Sequence, residues 1–309
     1  MKSILSVVIP TFNPNPDRFL KAINGLLAQS LSSELWDCIV VDNNSKNAVK
    51  LPALDRPNWR VVSEKTPGLS WARKKGIEEA NSDILVFVDD DNVLDRDYLK
   101  NALAFMQSYA EVGVMGGRNL PIFEVTPPDW FADGIAPIGC HDFGDQSEIF
   151  TWSHGQRVYP PKAPVGAGMV FRRETVKSWL ASVGKSGVSD RKGADLSSAG
   201  DCDMVLHALA SGWSVAYSPE LLLHHLIPQG RLTQQYLSKV SRCAFRDYLK
   251  VLDIHGIRPW AAIPRWSVPL RTAKAWLAFK AWRGPVEQIR WQSAIGQFEG
   301  RSALAVRKF

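Results

Sequence analysis

Three consecutive aspartates, Asp89, Asp90 and Asp91, end a short apolar run and precede Asn92. Residues 84–88 before them have the length and the Val, Ile and Phe content of a buried β-strand. Adjacent carboxylates at a strand end repel one another and lose hydration, unless a cation offsets their charge. Hard divalent cations take oxygen ligands and share them with phosphates. The segment therefore predicts a site for a divalent cation and a diphosphate, because a helix cap would explain one acid but not three.

Three further aspartates stand where a predicted strand ends or a predicted helix begins. Asp42 follows the predicted strand 36–41, where it could accept hydrogen bonds from a base N–H or a ribose hydroxyl; the alternative is an Asx-turn. Asp201 and Asp203 open a predicted helix, and both could stabilise its first turn through the helix dipole. The functional alternative makes one of them a general base for an attacking hydroxyl. The sequence alone leaves these alternatives open.

Cationic and imidazole side chains supply the other candidates. The segment PGLSWARKKG, residues 67–76, places three cations early on a predicted helix. We predict that Arg73 neutralises phosphate, whereas Lys74 and Lys75 form a solvated face. His224 and His225 end a leucine-rich run. A histidine there is usually a core residue, and the functional alternative is a further metal ligand.

Apolar patterning predicts strands and helices that alternate along residues 4–109. Such alternation is typical of a parallel α/β sheet, in which ligands gather at the C-terminal ends of the strands. Residues 112–165 are rich in Gly, Pro and aromatics without a clean period, and predict loops with short antiparallel strands. A glycine-bearing strand entry at 165–171 leads into a helix from Arg173. The predicted strands are 4–9, 36–41, 59–62, 84–88 and 213–217, and the other predicted helices are 17–29, 71–80, 95–109, 201–211, 233–253, 270–283 and 285–298.

The composition is that of a globular protein with a substantial core. The chain has 309 residues, 45% hydrophobic and 22% charged, which suits one large or two modest domains. The N-terminus lacks a small-residue cleavage site and is interpreted as a first strand, not a signal peptide. No apolar run reaches the roughly 18 residues of a transmembrane helix. Four cysteines without a Cys-x-x-Cys spacing suit reduced thiols in the cytoplasm.

The net charge of +6 conceals an asymmetry between the two ends of the chain. Residues 1–230 carry 22 Lys/Arg against 27 Asp/Glu, a balance of −5, whereas residues 231–309 carry 15 against 4, a balance of +11. Residues 258–291 mix Trp with Lys and Arg, which suits an anionic membrane surface. A nucleic-acid surface is a competing interpretation, although the acidic N-terminal region disfavours it. A helical cap packed on the rest of the protein is the third alternative.

Three signatures of common enzyme classes are absent from the sequence. No G-x-G-x-x-G follows the first strand, and neither a P-loop nor a G-x-S-x-G elbow occurs. These absences disfavour nicotinamide oxidoreductases, P-loop kinases and the common hydrolases.

An ordered set of seven segments resembles a family 2 glycosyltransferase of the GT-A fold, and the resemblance extends from residue 4 to about residue 240. Each segment is weak alone, but the set is highly specific. The resemblance implies an α/β fold with a mostly parallel central sheet flanked by helices, followed by a C-terminal helical extension. The segments are VVIPTFNP (7–14), VDNNS (41–45), PGLSWARKKG (67–76), FVDDDN (87–92), GAGMVFRR (166–173), GDCDM (200–204) and HLIPQGRLT (225–233).

The resemblance also implies roles for individual residues. Asp91 would be the direct ligand of a divalent cation, Mn²⁺ or Mg²⁺, with Asp89 as a second ligand nearer the ribose and His225 near the metal or diphosphate. Asp201 would be the catalytic base. One departure is that Gly200 stands where the family often has Glu. The implied nucleotide-binding residues are Pro10, Thr11, Asn13, Asp42, Arg73, Asp89 and Asp90, and those beside the donor sugar and acceptor are Gly166, Ala167, Gly168 and Asp203.

The implied reaction is an inverting, metal-dependent transfer of a sugar from a nucleotide-diphosphate donor, a UDP-sugar by default, to an acceptor hydroxyl. The acceptor would be a glycan or a lipid-linked molecule in polysaccharide or glycolipid assembly, and no nucleic acid takes part. We expect a catalytic domain at 1–230, with a nucleotide-sugar half to about 115 and an acceptor half from about 116, and a basic Trp-rich helical extension at 231–309.

The expected location is cytoplasmic, with peripheral association at the inner face of the cell membrane as a hypothesis. A sugar-nucleotide pyrophosphorylase ranks lower, because TFNPNP replaces the Gly-rich basic loop that such enzymes carry after their first strand. A non-catalytic nucleotide-sugar-binding protein is the third alternative, and the presence of Asp89, Asp91 and Asp201 together disfavours it.

Overall fold

The computed structural model describes residues 3–52, 56–153, 157–188, 191, 196–197 and 199–304. Within these ranges, nine strands form one mixed sheet that is flanked by helices, and the chain ends in a helical region. The strands are β1 (Leu5–Thr11), β2 (Trp36–Asp42), β3 (Trp59–Ser63), β4 (Ile84–Phe87), β5 (Asn92–Leu94), β6 (Val112–Phe123), β7 (Glu148–Phe150), β8 (Val170–Arg172) and β9 (Ser214–Ile227). The helices are α1 (Pro16–Leu27), α2 (Leu69–Glu79), α3 (Tyr98–Ser108), α4 (Lys177–Ser182), α5 (Gly200–Ala210), α6 (Gln234–Ile254), α7 (Val268–Phe279) and α8 (Pro285–Ala303).

The strand order β3-β2-β1-β4-β8-β6-β9-β5 brings distant segments to one edge of the sheet. Strands β3, β2, β1 and β4 are mutually parallel, so their C-terminal ends point the same way. Strand β8 is antiparallel to both β4 and β6, β6 is parallel to β9, and β5 and β7 are antiparallel to β9. Thr11 pairs with Asp42, and Val8 pairs with Phe87 just before the three aspartates. The sheet therefore gathers the predicted acids at one edge.

The central strand β1 is buried on both faces, which explains its continuous apolar sequence. Leu5, Val7 and Ile9 belong to the core on one side of the sheet. Val8 points into the core on the other side, together with Ile77 of α2. Two apolar layers thus hold the edge that carries the acids.

The prediction of loops and short antiparallel strands for residues 112–165 is wrong at its start. Residues Val112–Phe123 form a 12-residue strand, and this strand is parallel to β9. Its glycines hide the alternation but allow close approach. A Cβ on Gly117 would lie 2.0 Å from the carbonyl oxygen of Leu221, and one on Gly113 would lie 2.5 Å from a Thr175 methyl carbon.

Three other predicted boundaries differ from the structure. Strand β1 runs through Pro10 to Thr11, whereas the predicted strand ends at residue 9. The strand predicted at 213–217 is Ser214–Ile227, and includes the leucine-rich run and both adjacent histidines. Residues Arg173–Val176 form a 3-10 turn before α4, where a helix was predicted from Arg173.

The three C-terminal helices differ in how they pack. Helix α8 lies directly on α6, because a Cβ on Gly296 would be 2.2 Å from the carbonyl oxygen of Arg242. Leu237 and Val240 of α6, Ile289 of α8 and Ala136 of a preceding loop form one buried apolar cluster. Along the described ranges, every helix is too short or too polar to cross a bilayer.

Candidate active site

A cavity of about 1140 Å³ opens at the C-terminal edge of β1 and β4. One end is rich in carboxylates and guanidinium groups, and the other end is walled by α6, α7 and α8. Of the residues predicted from the sequence, those that line it are Pro10, Thr11, Arg73, Asp89, Asp90, Asp91, Gly166, Ala167, Asp201 and His225.

Asp91 lies at the centre of a buried ionic cluster. Antiparallel pairing of β5 with β9 sets Asn92 opposite His225, and Leu226 donates its backbone N–H to the carbonyl of Asp91 at 2.9 Å. This register brings His225 Nε2 to 3.4 Å from Asp91 Oδ1. Arg231, in the turn after β9, reaches Asp91 Oδ2 at 2.9 Å. Asp91 is therefore held between an imidazole and a guanidinium.

The three consecutive aspartates differ in their protonation behaviour. Burial and the charge of Asp91 raise the pKa of Asp90 to about 7, although the Thr11 hydroxyl donates a hydrogen bond to its carboxylate. Burial also raises the pKa of Asp89, although Arg73 opposes this shift. Burial disfavours the charge of Asp91 too, but His225 and Arg231 outweigh that effect and hold its pKa well below the usual range. Burial is thus the largest cause of the raised pKa values of Asp89 and Asp90.

This donor set fits a divalent cation. Several carboxylate oxygens and one imidazole converge on a single cavity, and the raised pKa values of Asp89 and Asp90 show that added positive charge would stabilise their ionised forms. Oxygen-rich sites of this kind suit hard cations such as Mg²⁺ and Mn²⁺. The predicted ligands Asp89, Asp91 and His225 all line this cavity, and Asp91 is paired there with His225 and Arg231.

Arg73 is the buried cation of α2. Its guanidinium carbon lies 5.1 Å from the centroid of the Phe87 ring, a distance at which the ring face attracts a cation. Gly166 packs against it so closely that a Cβ there would lie 2.0 Å from Arg73 Nη2. By contrast, Lys74 and Lys75 pair with Glu78 and Glu79 one turn further along the helix. Only Arg73 of these three side chains lines the cavity.

Asp201 stands in the first turn of α5 with its carboxylate fixed by two backbone groups. Oδ2 accepts a hydrogen bond from Gly166 N–H at 3.0 Å, and Oδ1 accepts one from Cys202 N–H at 2.9 Å. The carboxylate still lines the cavity. A carboxylate held in one orientation beside a cavity can accept a proton from a bound hydroxyl.

The structure does not bring Asn13 or Asp42 to the cavity. Asp42 is buried, and its oxygens accept hydrogen bonds from Ser45 N–H at 3.0 Å and Val49 N–H at 3.1 Å. Asp42 therefore forms a turn within its own loop, which is the Asx-turn alternative given from the sequence. Asn13 is exposed with φ of 48° and accepts a hydrogen bond from Lys46 N–H at 2.9 Å. Both side chains shape the loop that presents Asn43 and Asn44 to the cavity.

Gly168 and Asp203 also lie away from the cavity. Gly168 has φ of 73°, and its carbonyl accepts a hydrogen bond from the Tyr98 hydroxyl at 2.5 Å, so it fixes the turn after Gly166. Asp203 is buried on another side of α5, with Oδ1 at 2.8 Å from His255 Nε2 and 3.7 Å from His207 Nε2. The prediction of Asp203 beside the sugar and acceptor thus disagrees with its position. One potential ligand atom from each of these three side chains lies within 4.8 Å of the others, so they form a second candidate cation site.

Sequence reasoning missed several residues that line the cavity. Arg231 belongs to the segment HLIPQGRLT, so a signal for it existed. Arg191 favours the ionised forms of Asp89 and Asp91, but stands outside any recognisable pattern. The other missed residues include Phe12, Asn43, Asn44, Cys140, Phe245, Tyr248, Phe279, Arg290 and Ser293.

The sequence pattern of Glycosyl transferase family 2 matches residues 6–174, more than half of the chain. The chain belongs to glycosyl transferase family 2. This membership confirms the predicted family and the predicted class of enzyme. The cavity is lined by residues of the matched segment and by residues of the region that follows it.

Two curated relatives resemble the chain over most of its length. The succinoglycan biosynthesis protein ExoM of Rhizobium meliloti is 24% identical over 213 residues, which cover 67% of this chain and 59% of ExoM. A glucosyl-dolichyl phosphate glucuronosyltransferase of Haloferax volcanii is 22% identical over 257 residues, which cover 81% of this chain and 77% of that protein. The chain thus spans less than two thirds of the length of ExoM.

Solved structures with a similar fold include TarS of S. aureus. Its residues 1–349 in complex with UDP-GlcNAc match with a TM-score of 0.53 and 16% identity, covering 96% of this chain and 90% of that one. The same TarS fragment in another crystal structure gives a TM-score of 0.51 at 14% identity, covering 97% and 89%. The predicted GT-A-type fold with a C-terminal helical region is confirmed.

Proposed function

We propose that this family 2 protein is an inverting glycosyltransferase that moves a sugar from a UDP-sugar to an acceptor hydroxyl. The observation that carries the proposal is that Asp91 and Asp201 line the same cavity, with Arg73 beside them. A cation-binding acid, a phosphate-binding guanidinium and a base are the groups that such a transfer needs.

The donor end of the cavity is suited to a nucleotide diphosphate. Arg73, Arg191 and Arg231 line it and would offset phosphate charge. Asp89, Asp91 and His225 would hold Mn²⁺ or Mg²⁺, which when bound neutralises negative charge on the leaving diphosphate. Asp42 organises the loop whose Asn43 and Asn44 would face the base, typically uracil.

The acceptor reacts at the other side of the donor sugar. Asp201 takes the proton of the acceptor hydroxyl as its oxygen attacks C1 of the sugar. The new C1–O bond forms while the bond from C1 to the diphosphate oxygen breaks, and the nucleoside diphosphate leaves with that electron pair. One displacement inverts C1, so one base suffices and no second carboxylate is needed as a nucleophile.

The names of the relatives support the donor and the acceptor class. ExoM is named for succinoglycan biosynthesis, and the Haloferax volcanii protein for transfer to glucosyl-dolichyl phosphate. TarS binds UDP-GlcNAc in its crystal structure. We infer a glycan or lipid-linked acceptor in polysaccharide or glycolipid assembly, without nucleic acid. The reaction would be cytoplasmic, with residues 258–291 meeting the anionic inner face of the cell membrane.

We also retain the division into a catalytic domain at 1–230 and a helical extension at 231–309 as a proposal. The two parts share one cavity, because Phe245, Phe279 and Arg290 of the extension line it together with Asp91.

The direct test is hydrolysis of a panel of UDP-sugars by the purified full-length protein, with Mn²⁺ or with EDTA. We expect UDP release that needs the cation, and loss of this activity in Asp91→Asn and Asp201→Asn. Cation-stimulated UDP binding without turnover of any sugar would instead indicate a non-catalytic binding protein. If the protein neither binds UDP nor turns over any UDP-sugar, the proposal is refuted.

A further inference from the structure

Helix α7 and the 3-10 turn before it expose an apolar stripe that no other described part of the protein covers. Trp266, Leu270 and Leu277 are exposed to 74%, 66% and 61% of their surfaces. Leu270 and Leu277 are seven residues apart, which places them on one side of α7, and Trp266 lies in the 3-10 turn Arg265–Ser267 that leads into the helix. In α7 itself, Ala275 is the buried residue. We call Trp266, Leu270 and Leu277 the α7 stripe.

Positive charge surrounds the α7 stripe. Residues 258–284 contain six Lys or Arg and no Asp or Glu. The rings of Trp276 and Trp282 belong to the same segment. Their centroids lie 4.6 Å from each other, and both rings are partly exposed. The exposed cations are Arg265, Arg271, Lys274, Lys280 and Arg283.

The last residue of α7 connects this surface to the cavity. Phe279 lines the cavity at its helical end, together with Phe245 and Tyr248 of α6. Arg290 of α8 is exposed and lines the same end. This end of the cavity therefore offers aromatic rings and one cation, and it adjoins the exposed surface of α7.

We propose that the α7 stripe and its surrounding cations dock on an anionic lipid bilayer, and that docking presents the aromatic end of the cavity to a lipid-linked anionic acceptor. The second part rests on the proposed function. Tryptophan and leucine enter the interfacial layer of a bilayer, while Lys and Arg meet the headgroups of anionic lipids. The stripe lies on the bilayer, since α7 is too short to cross it.

Charge favours a bilayer over the two other occupants of such a surface. A second copy of the chain would bring the same cations against these, and like charges repel. A nucleic acid would be held through phosphates by Lys and Arg, and would leave Leu270 and Leu277 without a role. An anionic bilayer matches both the apolar centre and the cationic surround.

Flotation of the full-length protein on vesicles tests the first part. We expect flotation with phosphatidylcholine vesicles that contain phosphatidylglycerol, and not with phosphatidylcholine alone. Trp266→Ser, Leu270→Ser and Leu277→Ser combined should lower the partition coefficient about tenfold or more. The matched control combines Leu20→Ser, Ile122→Ser and Val158→Ser, which are partly exposed elsewhere, and should float as the wild type does.

A second variant tests the role of charge. Arg265→Gln, Lys274→Gln and Arg283→Gln combined should weaken flotation by roughly fivefold per residue, whereas Lys21→Gln, Lys50→Gln and Lys100→Gln combined should not. Equal flotation of the wild type and the stripe variant would overturn the docking proposal. So would a solution dimer that the stripe variant dissociates, or RNA binding through these cations without vesicle binding.

Donor hydrolysis tests the acceptor route separately. Vesicle-borne phytanyl phosphate, an isoprenoid chain with an anionic headgroup, should inhibit hydrolysis of the UDP-sugar by the wild type, measured as release of free sugar, because the bound lipid displaces the attacking water. Phe279→Ser should float normally but lose this inhibition, and the stripe variant should lose both. Absence of inhibition in the wild type would overturn the acceptor route. Absence of any donor hydrolysis would instead refute the proposed function and leave the flotation result standing.

Discussion

Gly166 donates its backbone N–H to Oδ2 of Asp201 at 3.0 Å, and its Cα faces the guanidinium of Arg73. One residue without a side chain thus lies between the proposed base and the proposed phosphate-binding cation. The two charged groups occupy separate helices, α5 and α2, and the turn after residue 165 sets their separation. We therefore expect the chemistry of the cavity to depend on this contact.

Gly166→Ala should therefore impair catalysis more than folding. The new methyl group would start 2.0 Å from Arg73 Nη2, so the guanidinium must move. A displacement of about 1 Å in such a site costs roughly 100-fold in rate, measurable as kcat for UDP release. The control is Gly230→Ala, where a Cβ meets nothing within 4 Å. Similar losses in both variants would contradict the role assigned to Gly166.

Asp201→Asn should lower kcat for sugar transfer by roughly 10²- to 10⁴-fold, because an amide cannot take the proton of the acceptor. Donor binding should change little, since the amide oxygen can still accept a hydrogen bond from Gly166. Isothermal titration with UDP and steady-state kinetics would separate these effects. The control is Asp83→Asn, at an exposed aspartate outside the cavity. An unchanged kcat in Asp201→Asn would exclude Asp201 as the base.

Removal of the cation should act through Asp91. We expect EDTA to abolish UDP release by the wild type and Mn²⁺ to restore it. In Asp91→Asn the activity should be low and insensitive to EDTA, because a neutral amide is a weak ligand for a hard cation. Thermal shift with UDP and Mn²⁺ provides a second measurement, since a ligand of the native state raises Tm. A full thermal shift in Asp91→Asn would contradict its role as a ligand.

The stability of the fold should depend on pH through His141. Its ring donates toward the Gly117 carbonyl with Nε2 at 3.0 Å, and burial lowers its pKa despite nearby Asp142 and Asp201. Below about pH 6.5 the unfolded chain gains a proton that the folded chain resists, so stability falls as pH decreases. Urea denaturation should show that His141→Gln reduces this slope, by up to about 1.4 kcal/mol per pH unit. An unchanged slope would mean that His141 does not titrate differently in the two states.

The parts of the fold that follow from local pattern were predictable. The alternation from Leu5 to Phe87 produced the parallel half of the sheet, because apolar runs of that length are typical of strands buried on both faces. Strand β6 was missed because Gly113, Gly116 and Gly117 interrupt its alternation. A side chain at these glycines would collide with Thr175, Pro164 or Leu221, which pack against the strand from distant positions in the sequence.

The site was predictable where residues adjoin a strand end and less so where they arrive from afar. Asp89–Asp91 follow β4 after Val88 and line the cavity at the end of that strand. Asp42 also follows a strand, yet its oxygens serve the backbone of its own loop. Arg231 reaches Asp91 only through the pairing of β5 with β9, and neither segment alone shows that pairing.

The packing of α8 against α6 limits how the C-terminal extension can be studied. Since Gly296 and Gly300 bring the two helices into contact and Arg290 and Ser293 wall the cavity, a shortened protein ending near residue 230 would lack one side of its substrate chamber. Inactivity of such a fragment would carry no information about lipid attachment. Point substitutions on the outer surface of α7 are the better test, because they leave the lining of that chamber unchanged.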